Sequence, residues 1–205
     1  MGAGIALECR FRFRQMYERY VELCSRGDLR PGRLFLWTHS TPWVLNFPTK
    51  IHWKHESTLD IVRQGLEKFA ATYQDRNIRS IAFPRLGTSH GGLAWSMVRP
   101  LMLEVLGGLP DLQVEIYGFD PRAPDALFPK LVRQIEGVGV DSIVRKFGVR
   151  SPQARAIQGA ILSGSVGNMI ALQQADGVGV KTVERLYEVL CKSHEEDTQT
   201  QLELF

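Results

Sequence analysis

Apolar and polar positions alternate with two different periods along this chain, and the change of period marks its organisation. Residues 7–25 have helical periodicity and predict an amphipathic helix closed by Gly27. Leu34–Trp37 and Trp43–Phe47 predict short strands, split by the turn residues Ser40, Thr41 and Pro42. Ser57 is placed to cap a helix running to about Tyr73. Ile78–Phe83 predicts a buried strand ending at Pro84, Leu93–Leu106 a helix and Leu112–Tyr117 a last strand. Strand and helix in alternation predict an α/β layered domain with a mainly parallel sheet. After the turn Asp120-Pro121-Arg122 strand signals stop, and residues 125–192 are helical in period.

Composition narrows the class. In 205 residues, 44% are hydrophobic and 23% charged, a globular balance that leaves room for one or two domains. No apolar run approaches the roughly 20 residues of a membrane helix. The N-terminus lacks the layout of a signal peptide. Cys9, Cys24 and Cys191 are far apart, odd in number and without metal-ligand spacing, which predicts reduced thiols in a cytoplasmic protein. Charge is uneven: residues 1–120 hold 15 Lys/Arg against 12 Asp/Glu, residues 121–192 hold 10 against 6, and residues 193–205 hold none against 4. A basic middle segment followed by an acidic tail permits nucleic-acid binding without proving it.

Three loops carry candidate chemistry: MGAGIAL at 1–7, NFPTKIHW at 46–53 and PRLGTSHGGLAW at 84–95. In open α/β sheets, ligands bind at the loops that follow strand carboxyl ends. Gly87, Gly91 and Gly92 permit close approach of backbone to a ligand, and consecutive amides can cradle a diphosphate. Taken together, the loops resemble those of the macro domain, the ADP-ribose-binding fold, in its DarG-type branch, which removes ADP-ribose from DNA bases. MG-x-GIAL, NFPTK-x-HW and LG…GGL-x-W occur here in the family's order. The resemblance covers roughly residues 1–120. It implies a three-layer domain, a mixed sheet with helices on both faces. In the family, strands ahead of the first loop help to bind adenine, so the expectation is a domain whose first strands are absent.

The resemblance places the catalytic lysine at Lys50, which is thought in related enzymes to attack the anomeric carbon of ADP-ribose. A lysine partly desolvated in a pocket gains a usable free amine, whereas a neighbouring diphosphate favours the ammonium, which can act as electrostatic stabiliser or acid. Gly2, Ala3, Gly4, Ile5, Thr49, Gly87, Thr88, Ser89, His90, Gly91 and Gly92 are the implied ADP-ribose-binding positions. His90 stands where the family often has a smaller residue, and is either a proton carrier or a plain loop residue. Trp53 and Trp95 are core, pocket-wall or stacking residues. No cofactor is implied beyond ADP-ribose as ligand or product.

The helical segment contains a repeat. IEGVGVDSIVRKF (135–147) and ADGVGVKTVERLY (175–187) share an acidic-Gly-Val-Gly-Val core forty residues apart. The pattern resembles the helix-hairpin-helix motif, and its pairing is similar to the double motif of the Holliday-junction protein RuvA. Such a turn exposes backbone amides at a helix N-terminus, where a DNA phosphate fits irrespective of sequence. Gly137, Gly139, Gly177 and Gly179 form the turns, with Lys181 and Thr182 placed to reinforce the second contact. Asp141, the matching residue of the first copy, is read as a helix-start residue.

The end of the chain, Gln201-Leu202-Glu203-Leu204-Phe205, resembles the pentapeptide by which bacterial proteins dock on the DNA sliding clamp, with Gln201, Leu202, Leu204 and Phe205 as anchors. The expected division is therefore a macro-like domain (1–121), a tandem helix-hairpin-helix domain (125–192) and a disordered tail (193–205). The expected function is removal of ADP-ribose from modified DNA, in a cytoplasmic, nucleoid-associated protein that touches DNA and the clamp but no membrane. The alternatives are a non-catalytic reader of ADP-ribosylated DNA and a DNA-structure binder with a degenerate macro domain.

Overall fold

A computed structural model describes residues 1–191 and 203–204, and it divides the chain into two compact units. The first comprises residues 1–119 and the C-terminal strand; the second begins at Asp120. In the first unit the order is α1 (Gly4–Arg12), α2 (Arg14–Ser25), β1 (Phe35–Trp37), β2 (Val44–Asn46), α3 (Leu59–Thr72), β3 (Ser80–Pro84), α4 (Trp95–Leu106) and β4 (Gln113–Tyr117). A last strand, β5 (Glu203–Leu204), is added from the far end of the sequence. Among the described residues no helix is long and apolar enough to cross a membrane.

Packing on both faces of β1 builds the layers. Successive side chains of a strand point to opposite faces. Leu34 and Leu36 accordingly enter one apolar cluster, with Val62, Leu66 and Phe69 of α3 and Val98 and Met102 of α4. Phe35 and Trp37 enter another, with Met16 and Leu23 of α2. Helices thus cover both faces of β1. The second cluster also explains why the helix expected over 7–25 is two helices. Phe13, with φ −125° and ψ 74°, separates them and packs its ring on that cluster.

The strands differ from the mainly parallel sheet that the alternation predicted and agree with the mixed parallel and antiparallel pairing that the resemblance implied. Hydrogen bonds group them into an antiparallel sheet, β2-β1-β5, and a parallel pair, β3-β4. Both sheets line the same core, to which β3 gives Ile81 and Phe83 and β4 gives Val114 and Ile116. The opposite face of the pair, Ser80, Ala82, Gln113, Glu115 and Tyr117, is exposed, so β3 is not the strand buried on both faces that its apolar run suggested. The cap of α3 also moves by one residue: Thr58, not Ser57, accepts the Ile61 amide at 3.2 Å. At the chain end, Glu203 and Leu204 pair with Leu36 and Phe35, where a disordered tail was expected.

The second unit contains α5 (Phe128–Ile135), α6 (Val140–Phe147), α7 (Ser151–Leu162), α8 (Met169–Gln173) and α9 (Val180–Cys191). The sequence repeat is a structural repeat. Gly137 and Gly177 both adopt positive φ, 73° and 77°. The next amides, of Val138 and Val178, bond to Ile135 and Ala175 carbonyls. Gly139 and Gly179 then open α6 and α9, each carbonyl accepting two amides, from Ser142 and Ile143 or from Thr182 and Val183. Helix α7 ties both turns: Gln158 donates to the Val138 carbonyl and Gln153 to the Thr182 hydroxyl, each at 2.8 Å.

Candidate active site

The second and third loops meet. Phe47, just after β2, anchors the second by lying edge-on to Phe83 of β3, ring centroids 6.2 Å apart. It also seats against α3 where the helix has a glycine: a Cβ on Gly65 would stand 2.3 Å from the Phe47 ring. From this anchor the chain passes Thr49, half-buried, to Lys50, whose Nζ donates to the His90 carbonyl in the third loop. Farther along, the Ser57 amide donates to the Gly91 carbonyl at 2.9 Å. The structure therefore brings Lys50 and the glycine loop together.

The third loop is a closed turn. Gly87, at φ 68°, accepts from the Leu93 amide at 3.1 Å, and the Gly92 amide donates to the Ser89 carbonyl. Gly91 fills the centre: a Cβ there would lie 2.3 Å from the Gly87 oxygen and 2.4 Å from Ser57 Oγ, so no other residue fits without rearrangement. Among the described residues, the Ser89, His90 and Gly91 amides donate to no backbone carbonyl. Such a run of unspent donors on a glycine turn is the arrangement that holds phosphate oxygens. Thr88 points its hydroxyl back at the Arg85 carbonyl, 2.9 Å away. His90 presents its carbonyl, not its ring, to Lys50, and its side chain is exposed.

The first loop offers its own donors. Gly4, at φ 55°, begins α1, and its N-cap Ala3 supplies no side-chain hydrogen bond, so first-turn amides are left uncapped. Gly2, Gly4 and Ile5 are exposed. Met1 packs with the Phe35 and Trp37 cluster. Hydrogen bonds join the second loop to the third.

Sequence reasoning missed Ser57 as a site residue, reading it as a helix cap. It is 4% exposed, its Oγ has no partner among the described residues, and it packs beside Gly87 and Gly91. The sequence signal was the Ser57-Thr58 doublet, which left two candidates for one cap. Trp95 is half-buried beneath the Arg85 guanidinium, 5.2 Å from the ring centroid, and packs against the apolar core. A separate shallow cavity of about 210 Å³, lined by Tyr73, Gln74, Asn77, Ile78, Arg79 and Asp111, adjoins the amino end of β3 and contains none of these residues.

In the second unit, Gly137, Gly139, Gly177, Gly179 and Lys181 are exposed at the two turns. Thr182 is not: it is 2% exposed and its hydroxyl is engaged by Gln153, so its expected reinforcement of a phosphate contact is corrected to a packing role. Gln201, Leu202 and Phe205 lie outside the described residues; Leu204 is described only as part of β5.

Comparison with known proteins places the first unit among relatives. The family model for the Macro domain matches residues 1–102. A curated relative from Thermus aquaticus, named DNA ADP-ribosyl glycohydrolase, is 37% identical over 121 residues, 57% of this chain and 34% of that protein. This chain thus spans about a third of the length of the curated relatives it matches. Among solved structures, the macrodomain of Thermus aquaticus DarG is 38% identical with a TM-score of 0.54, the match covering 57% of this chain and 80% of that one. The structure described as Thermosipho africanus DarTG in complex with ADP-ribose is 31% identical with a TM-score of 0.54, covering 60% and 36%. With its lysine and glycine loops joined in one site and four-fifths of a DarG macrodomain matched, this chain belongs through residues 1–102 to the macro-domain family, in its DarG branch.

Proposed function

We propose that the protein hydrolyses the bond between ADP-ribose and a DNA base. The observation that carries this reading is the contact of the Lys50 amine with the glycine loop at His90. It is supported by relatives that bear the name DNA ADP-ribosyl glycohydrolase and by one solved with ADP-ribose. The Ser89, His90 and Gly91 amides hold the diphosphate, together with first-turn amides of α1 reached past Gly2, Ala3 and Gly4. Ile5, Thr49, Thr88, Gly87 and Gly92 shape the walls. Lys50 Nζ bonds to the anomeric carbon as the bond to the base breaks. The electron pair goes to the base, which leaves with the proton the amine gives up. Water then splits the lysine adduct into ADP-ribose and free amine, so the sum consumes one water.

The test is release of ADP-ribose from an ADP-ribosylated single-stranded oligonucleotide by the full chain. Lys50→Ala should lower kcat by at least about a hundredfold. Reduction with cyanoborohydride during turnover should trap ADP-ribose on Lys50. An inactive wild type would sink the glycohydrolase reading. An active Lys50→Ala protein would sink only the lysine's part in it.

The same reading makes the second unit a tandem helix-hairpin-helix module that grips DNA phosphates at Gly137–Gly139 and Gly177–Gly179, reinforced by Lys181. It makes the C-terminal pentapeptide a sliding-clamp ligand. The repeated turn geometry and the basic excess of residues 121–192 support the first assignment. The second is supported by the pattern Gln201-Leu202-Glu203-Leu204-Phe205 alone. A cytoplasmic, nucleoid-associated location follows from both.

A further inference from the structure

The segment between Lys50 and Ser57 carries an exposed aromatic and cationic surface that the proposed chemistry does not use. Ile51 is 76% and Trp53 75% exposed, whereas Trp37 is buried, Trp95 half-buried and Trp43 50% exposed. A single exposed apolar residue is ordinary, but two such side chains within three residues beside a reactive site mark a surface that meets something. The aromatic side chains are grouped. The His52 ring lies 5.7 Å from that of Trp53 and 5.3 Å from that of His55, and Lys54 Nζ sits 5.2 Å from the Trp53 ring centroid.

The local backbone holds this group in place. The His55 amide donates to the His52 carbonyl at 3.0 Å, and the Lys54 amide donates to His52 Nδ1 at 3.3 Å. Lys50 and Ser57, at the two ends, are fixed to the glycine loop. The segment is thus a turn pinned at both ends that carries an indole and two imidazoles within five residues of Lys50. Every nucleobase has a π face, and stacking on an aromatic side chain flanked by cations is the sequence-tolerant way to hold an unpaired base and its phosphate.

We propose that Trp53, with His52 and Lys54, forms a stacking platform for unpaired bases of the DNA strand that carries the ADP-ribose. The inference rests on the glycohydrolase reading and adds where the polynucleotide part of the substrate lies. Lys50 marks the bond to be cut, the glycine loop holds the diphosphate on one side, and Trp53 takes bases on the other. The platform distinguishes ADP-ribosylated DNA from free ADP-ribose and from ADP-ribosylated peptide, in which adenine is the one base and no neighbouring DNA base is present to stack.

The test compares the full-length wild type with Trp53→Ala and Trp53→Phe. For an ADP-ribosylated single-stranded oligonucleotide, Trp53→Ala should raise KM about 5- to 150-fold, the range set by loss of one base stack. Its kcat should stay unchanged, and Trp53→Phe should recover most of the loss. Affinity for free ADP-ribose should be the same in all three proteins. An unchanged oligonucleotide KM would overturn the platform, as would an equal loss of ADP-ribose affinity or an equal effect on an ADP-ribosylated peptide. Photo-cross-linking of an unmodified single-stranded oligonucleotide containing 5-iodouracil gives a readout that needs no turnover. Adducts should map to the peptide holding Trp53; adducts confined to residues 137–182 would overturn the proposal. A wild type that cross-links at Trp53 yet releases no ADP-ribose would refute the glycohydrolase reading alone.

Discussion

At the scale of single residues, the glycines of the candidate loops differ in what surrounds them, and the difference is measurable. Gly91 is required by the fold, because a Cβ there would collide with the Gly87 oxygen and Ser57 Oγ. Gly91→Ala should therefore destabilise the first unit by about 1–3 kcal/mol and weaken ADP-ribose binding with it. Gly2 has nothing within 4 Å of its would-be Cβ and no positive φ. On the proposed function, Gly2→Ala should leave the melting temperature unchanged and weaken ADP-ribose binding alone. Thermal unfolding paired with ADP-ribose titration separates the two; a Gly91→Ala protein as stable as the wild type would contradict the packing of this loop. Gly91 and Lys50 were legible in the sequence because their motifs are contiguous. Ser57 was not, because its role depends on a loop thirty-four residues away. His90 was legible as a position but not as a chemistry: the backbone carbonyl meets Lys50, and no side-chain rule predicts that.

Among elements, the two glycine turns share one backbone and carry opposite charges. Residues forty apart correspond, so Asp141 on α6 and Lys181 on α9 occupy the same second helical position, both exposed. A helix N-terminus attracts anions, an aspartate there competes with phosphate, and a lysine adds to the attraction. Lys181→Glu should weaken binding to duplex DNA about tenfold at low salt and flatten the salt dependence by about one to two phosphate contacts. Asp141→Lys should strengthen binding and steepen it. Fluorescence anisotropy across a salt series checks both, and unchanged affinity in both variants would remove DNA from this unit. The repeat was visible in the sequence because glycine spacing survives duplication. The burial of Thr182 was not, because it depends on Gln153 of α7, an element outside the repeat. The strands show the same limit. Their positions followed from apolar runs, yet an apolar run does not reveal which strand edges pair, and β3 proved to be covered on one face only.

For the whole molecule, the C-terminal residues are asked to be in two places. Glu203 and Leu204 form β5, which pairs antiparallel with Leu36 and Phe35 on the side of β1 not occupied by β2. An extended peptide that completes a sheet edge spends its backbone donors and acceptors there. The same residues, with Gln201, Leu202 and Phe205, make up the pattern read as a sliding-clamp ligand, and one segment cannot serve both surfaces at once. Deleting residues 201–205 should therefore abolish co-elution with the clamp and speed hydrogen exchange at Phe35 and Leu36. Adding clamp to the intact chain should reproduce the faster exchange without any deletion. If the tail docks on the clamp while exchange at Phe35 and Leu36 stays as slow as in the isolated protein, the two sites do not compete. A two-residue pairing contributes little, since a few backbone hydrogen bonds are worth about 0.5–1.5 kcal/mol each in net terms. A clamp pocket of micromolar affinity, worth about 8 kcal/mol, would draw the tail away from β1 readily, and the edge of β1 would be left open only while the protein is tethered.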